Sequence, residues 1–548
     1  MNSEVDRSYI RYLAAIPLLT TLIVTPGLTT EAQILGKFTF FAIAVMSLVI
    51  LLNQKGALRF DKFWTGISLA IIVSFLASTL AQGQNLSEQI FGVYGRNNGL
   101  ILLISSMVFF LISVSQEIKA LEDLTLKRLS QAGWFVLAYF YIQLFGWDLI
   151  PWNQIYGTPV STLGNPNFLS AFISLILFAN FGHYITSKRD RKSLVLLLLF
   201  CLLASVALFL SNSQQGFLLL LVGAWILLGK FFFEKEKRLI IRYWMAITVV
   251  SFVAVALGVA NIGIGQRIFQ EYSLAIRREY WLAGISMFKD KPIFGNGFDS
   301  YLYNFDANKS ENFVRVHGES LTSSSAHNVY IDSLQGSGIF AGLLYLALNF
   351  LVMAVAAKRV LRGGASQAYW ILLIIWILIQ VQSLISIQNV AINAWQWLIA
   401  GVLVSNREES IKKSKRRVIK EPRVPARGLK IPRLILTPIF LVVLSLSPLA
   451  LIQDVKFAGA IKTANGSALI DLSKTFPFDT YRANYTARAL EDGKYWHWAI
   501  EVAKESVRSN PKNKEGWLLI LNSRVATSEE RQLAREAILR LDPFWKAS

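Results

Sequence analysis

Cysteine is almost missing from this 548-residue chain, and the single Cys201 rules out an intramolecular disulfide or a cysteine-based metal cluster. It leaves the redox compartment unstated. Histidine is nearly as scarce, at four residues, so a neutral-pH base has few candidates. Acidic side chains number 35 against 55 basic ones, and few fall inside the apolar stretches. That shortage argues against a transporter or flippase built on intramembrane carboxylates. No charged leader with a cleavage site precedes the first apolar segment, which is expected to remain as an anchor.

What the chain has in excess is apolar sequence. Hydrophobic residues make up 54% and the mean hydropathy is +0.44, arranged in blocks near the roughly 20 residues that cross a bilayer. Spans are expected near 12–28, 36–53, 64–81, 99–116, 131–147, 167–185, 193–211, 217–233, 243–261, 331–356, 368–386, 390–405 and 434–452. The fold class is therefore an all-α polytopic membrane protein with about 12–13 transmembrane helices. Basic residues cluster in alternate loops: Arg7 and Arg11, Lys55 to Lys62, Lys119 to Arg128, Lys188 to Lys192, Lys235 to Arg242, and Lys358 to Arg362. By the positive-inside rule that side is cytoplasmic.

The loop 406–433 extends the pattern. From Arg407 to Arg433 it carries eleven basic and three acidic residues without apolar periodicity, as expected of a cytoplasmic loop against anionic lipid. Aromatics are not interleaved there, which argues against nucleic acid as a partner. The opposite loops, Gln82–Asn98, Asp148–Asn165, Ser211–Gly216 and the outer loop 263–330, are rich in Gly, Asn, Pro, Ser and aromatics. In the last, seven basic residues balance seven acidic ones. Such loops are structured and carry function.

Two domains follow, a membrane domain over 1–453 and a soluble tail over 456–548. In the tail Pro477, Pro511 and Pro543 recur at intervals of 34 and 32 residues with helical patterns between them. This is the period of helix-turn-helix repeats, and the stretches 487–508 and 515–541 resemble tetratricopeptide repeats. Trp498, Ala499, Ala503 and Trp517 are the expected packing positions, and so short an array would lean on the membrane domain or on a protein partner.

Four motifs on the non-basic side compete between structural and functional roles. In "VYGRNNGLI", residues 93–101, Arg96 is either an interfacial arginine reaching for headgroups or part of a turn shaped by its flanking glycines. In "STLGNPNFLSAF", Asn165 and Pro166 suit a helix start, which would also suit an anion. "LSNSQQGF" turns between two spans and leaves Gln214 and Gln215 at the edge. "AIRREYWLAGISMFKDKPIFGNGFDSYLYNF", residues 275–305, opens an amphipathic helix with Arg277 and Arg278, and Trp281 and Met287 are expected to lie along the membrane surface. The paired arginines are planar donors suited to phosphate.

His327 stands in "SSSAHNVYIDSLQGSGIFAGLLYL", before the next span. It is either a hydrogen-bonded cap or, neutral beside phosphate-binding arginines, a general base toward a hydroxyl. Taken together, "VYGRNNGLI", "STLGNPNFLSAF", "RREYWLAGISMFKDKPIFGNGFDSY" and "SSAHNVYIDSLQGSGIFAGLLYL" resemble, in order, the O-antigen ligase and polymerase superfamily over roughly residues 35–405.

The resemblance implies a multi-span (GT-C-like) glycosyltransferase. It would move a glycan from undecaprenyl diphosphate to a lipid, wall-polymer or protein hydroxyl at the outer face of the bacterial cytoplasmic membrane. It further implies inversion at the anomeric carbon and no metal or other cofactor, and the outer loops show no Asp-x-Asp motif. His327 takes the place of the base and Arg277 that of the diphosphate-binding arginine. Arg96 and Arg278 are added as phosphate contacts, with Asn165, Asn328 and Trp281 in support. Many relatives carry Ser-Arg-Gly where this chain has Ser213-Gln214-Gln215-Gly216, so Gln215 would offer the donor an amide without charge. A polymerase or a protein O-oligosaccharyltransferase would share these motifs.

Overall fold

The computed structural model describes residues 3–54, 60–82, 85–115, 118–148, 150, 156–259, 272–405 and 433–546. The basic stretch 406–432 and residues 260–271 of the long outer loop lie outside them. Among the described residues the chain is all helical. The membrane part comprises α1 (Ser3–Leu22), α2 (Leu35–Gln54), α3 (Lys62–Gln82), the short α4 (Leu86–Phe91), α5 (Leu100–Val114), α6 (Ile118–Leu144), α7 (Pro166–Thr186), α8 (Arg191–Leu210), α9 (Gln214–Glu234) and α10 (Arg238–Val259). After three loop helices, α11 (Tyr272–Asp290), α12 (Tyr301–Asn308) and α13 (Glu311–His317), come α14 (Val329–Leu361), α15 (Gln367–Ile385), α16 (Val390–Val404) and α17 (Arg433–Leu446). The tail holds α18 (Leu449–Lys462), α19 (Gly466–Lys474), α20 (Thr480–Asp492), α21 (Trp496–Ser509), α22 (Lys514–Asn522) and α23 (Ser528–Leu541).

Nine stretches among the described residues are long and apolar enough to cross a membrane. α5 and α16 are apolar but shorter. They form the centre instead: α16 lies against α5 so closely that a Cβ at Gly401 would stand 2.3 Å from Ser113. Trp395 and Trp397 are buried there with their indole N–H groups given to Thr21 and Asn393 at 2.9 Å. Around this centre, α8, α9 and α10 leave Leu202, Phe209, Leu221 and Phe252 exposed. A water-facing surface would not keep such a belt, and a lipid-facing one requires it. The molecule is a polytopic all-α membrane protein.

Its two ends differ in chemistry. At one, Arg359 of α14 lies 3.8 Å from Glu122 of α6, which also accepts from Ser366, among the expected basic loops. The other end gathers the turns 85–99, 156–165 and 211–216 with α11 to α13. The tail packs on this second end. Helix α18 runs through the boundary expected near residue 456, so the tail continues directly from the last apolar helix. Helices α19 to α23 then pack each on the one before. Pro477 and Pro511 lie in the loops ahead of α20 and α22, and Pro543 follows α23. Ala499 and Ala503 are buried and Trp517 packs against the same core, but Trp498 is 56% exposed and does not pack as expected. It sits on the polar side of α21, whose apolar stripe runs through Ala499, Val502, Ala503 and Val507.

Two glycine motifs set the geometry of the second end. Backbone from "PIFGNG" lies directly on "QGSG" of α14: Ile339 N–H donates to Pro292, Asn296 to Gln335 and Gly297 to Gly336, at 2.8, 2.8 and 2.9 Å. α14 breaks at Gly338, whose φ is 78°. Any side chain there would collide with the Ile293 carbonyl 2.0 Å away, and one at Gly295 with Gly336 at 2.4 Å. The break sets the first turns of α14 beside α11.

Candidate active site

His327 occupies the loop ahead of α14 in a left-handed conformation, φ 51°. A non-glycine residue adopts this only where its surroundings impose it. Here Asp332, on the first turn of α14, accepts from Ser325 Oγ at 2.5 Å and from Ala326 N–H at 2.9 Å. The His327 N–H in turn donates to Ser325 Oγ at 2.9 Å. Asn328 is the N-cap, its Oδ1 accepting from Tyr330 and Ile331 N–H. The imidazole stacks on Tyr280 of α11 with centroids 5.4 Å apart. With its backbone and ring face fixed, both ring nitrogens of His327 are without a protein hydrogen-bond partner among the described residues.

The electrostatics of that ring are those of a base held neutral. Burial first, then Arg277 and Arg96, push its pKa down to about 3. Both arginines therefore stand close enough to oppose a proton on His327, although they are 181 residues apart in sequence. Arg96 is carried on a turn in which its own N–H and that of Asn97 donate to the Val93 carbonyl, each at 3.0 Å. Asp299, following "GNG", accepts from Val93 N–H at 2.8 Å and lies 3.4 Å from Arg96. Burial pushes the Asp299 carboxyl up while Arg96 and the Val93 N–H pull it back. Arg96 Nε is buried without an acceptor.

Arg96, Asp299, Tyr301, Asp332, Ser333 and Gln335 line a cleft of about 370 Å³. Gln335 Oε1 is buried there without a donor. Among the described residues no three His, Cys, Asp or Glu side chains converge.

The remaining expected residues fall around this centre. Trp281 and Met287 are buried against Tyr301, Phe305 and Phe313. These two side chains pack inward on the loop helices, whereas Leu282 and Ile285 are the exposed apolar residues of α11. Arg278 lies 3.5 Å from Glu279, itself held by Ser310. Gln215 is buried between α9 and α15, accepting from Gln382 at 3.1 Å and donating to the Ile385 carbonyl at 3.5 Å. Asn165 caps α7 and donates to Tyr156 at 2.8 Å. Neither lines the Arg96 cleft, and nor do Arg277, Arg278 or His327 itself, which stands in the loop just ahead of Val329 in the cleft wall. Sequence reasoning passed over Asp299, Asp332 and Tyr280, which hold Arg96, the His327 loop and the imidazole. The one signal was position: Asp299 and Asp332 closely follow the glycine motif and the His-Asn pair.

An imidazole without a polar partner, on whose charge Arg277 and Arg96 both act, thus lies at the loop end of a helical membrane bundle. Residues 199–346, from α8 past the break in α14, match the family model described as O-Antigen ligase. No curated protein matches the chain. The matched stretch contains Gln215, Arg277, Arg278, Trp281, His327 and Asn328.

Proposed function

We propose that the protein transfers a glycan from undecaprenyl diphosphate to an acceptor hydroxyl, with His327 as general base. The observation that supports this most directly is the unengaged, neutral imidazole facing two arginines. The acceptor oxygen attacks the anomeric carbon while its proton passes to the imidazole. The bond from that carbon to the diphosphate oxygen breaks with inversion. Arg277 and Arg96 meet the charge that develops on the leaving diphosphate, the task a metal performs elsewhere. Arg278, one residue along α11, would extend this contact. Asn328 and Trp281 would hold the loop and helix that present the pair, and Asn165 and Gln215 would meet the donor only beyond the cleft.

The order of events follows from charge. With a pKa near 3 the free His327 is a weak base. A bound diphosphate offsets the arginines and raises the basicity of His327 in part, burial being the larger cause, so proton removal is more favourable with donor in place. The loop end would face outward from a bacterial cytoplasmic membrane, with the basic end inside and the tail on the acceptor side. The acceptor would be a lipid, a wall polymer, a second glycan or a protein hydroxyl.

The test is transfer by purified protein from an undecaprenyl-diphosphate glycan, without added metal, comparing wild type with His327→Ala. Lost transfer with donor binding retained is expected. Unchanged transfer, or movement of the lipid-linked glycan across liposomes without transfer, would return His327 to a capping role and favour a transporter.

A further inference from the structure

A second cleft, of about 400 Å³, lies between the membrane domain and the tail. It shares Phe298 and Asp299 with the cleft lined by Arg96, so the two adjoin. Its other walls are rich in amides: Gln82, Gln89 and Asn296 come from the membrane domain and Asn510 from the tail. Amides both donate and accept, which is what sugar hydroxyls require. Asn510 is 3% exposed, and its Nδ2 is buried without an acceptor.

The charges are unevenly matched. The two carboxylates are engaged: Asp299 by Arg96 and Val93, and Glu88 by Tyr303 Oη at 2.6 Å and by Thr480 N–H and Oγ1 at 2.8 and 2.9 Å. The cations have only neutral partners. Lys512 donates to Asn304 at 2.6 Å, and Lys291 donates at 3.1 Å to Gln82, which lines the cleft. Burial and then Lys291 push the Lys512 pKa down to about 8, so the two ammonium groups act on each other. Paired cations without a carboxylate await an anion.

We infer that this cleft binds an acidic, carboxylate- or phosphate-bearing unit of the glycan whose reacting end lies at the Arg96 cleft. The inference rests on the glycan-transfer reading, and it makes the tail, through Asn510 and Lys512, part of the substrate site. An anionic lipid headgroup would supply the same charge. The amide lining and the continuity with the Arg96 cleft favour the saccharide.

The full-length protein in phosphatidylcholine nanodiscs is titrated by calorimetry with tetragalacturonate and, separately, with neutral maltotetraose. The acidic tetramer is expected to bind about tenfold more tightly, and Lys512→Gln to remove that preference. Lys291→Gln, on an exposed side chain, carries the same test if Lys512→Gln fails to fold. Equal affinity for the two tetramers, no binding of either, or an unchanged preference in a folded lysine variant would overturn the inference. So would competition by added phosphatidylglycerol that Lys512→Gln relieves, which would assign the cleft to lipid. None of these readings involves transfer, so they move independently of the His327→Ala comparison.

Discussion

Two buried polar clusters at the loop end are built on opposite terms. Between α12 and the tail, Lys309 lies 3.1 Å from Asp306 and 3.0 Å from Asp542, and Lys514 pairs with the same two carboxylates. Two cations meet two anions in a closed network, with the Lys309 side chain fully buried. Around His327, Arg96 has one carboxylate and an Nε with no acceptor, and the imidazole has no polar partner. The first cluster is complete as it stands and holds the tail to the loop. The second keeps an Arg96 Nε without an acceptor and an imidazole without a polar partner, the kind of buried group that is enriched at functional sites.

The contrast can be broken from either side. His327→Ala should reduce transfer by about 10²–10⁴-fold, the usual contribution of a general base, with little change in the thermal midpoint. Asp542→Ala should do the reverse. Removing the carboxylate that two buried ammonium groups share should cost about 3–5 kcal/mol, read as a lower unfolding midpoint and release of the tail to protease. If Asp542→Ala were neutral for stability, the tail would be held by other contacts.

A subtler test concerns the field at His327. Arg277→Gln removes a positive neighbour, which favours the protonated ring, so the pKa should rise from about 3 toward the ordinary 6.5. The rise should be partial, since burial is the larger cause. NMR titration of the four histidines reads it, and an unmoved resonance would place Arg277 away from the ring.

The smallest effect concerns the turn that carries Arg96. Tyr94 stacks on Tyr481 of the tail at 4.2 Å and donates to Asp454 at 3.0 Å. Tyr481→Ala should cost about 0.5–1.5 kcal/mol and hasten amide exchange over residues 91–99, whereas Tyr481→Phe keeps the ring and should not.

Much of this was legible in the chain. The expected apolar blocks overlap helices, and among the described residues nine stretches are long and apolar enough to cross a membrane, because about 20 apolar residues in lipid have no other way to satisfy their backbone. The motifs around Arg96, Arg277 and His327 stood out because glycine, asparagine and paired arginine interrupt an otherwise apolar text. Gln215 and Asn165 stood out for the same reason, and the structure gives them to the contact with Gln382 and Ile385 and to the cap of α7. Local composition marks a loop as unusual but says nothing of which loops meet. Trp498 shows the same limit, since a tryptophan in a helical repeat packs only if its angular position faces the stripe.

The sequence by itself determined a helical membrane bundle, one end basic and the other rich in turns, and a helical tail, because hydropathy, charge and helix period are local properties. Tertiary structure alone decided that Arg96 and Arg277 act on His327, that Asp332 locks the His327 loop, and that the tail closes a second cleft. These contacts join residues up to several hundred positions apart. They depend on backbone approaches, "PIFGNG" on the break at Gly338 above all, that are fixed only when both partners are folded.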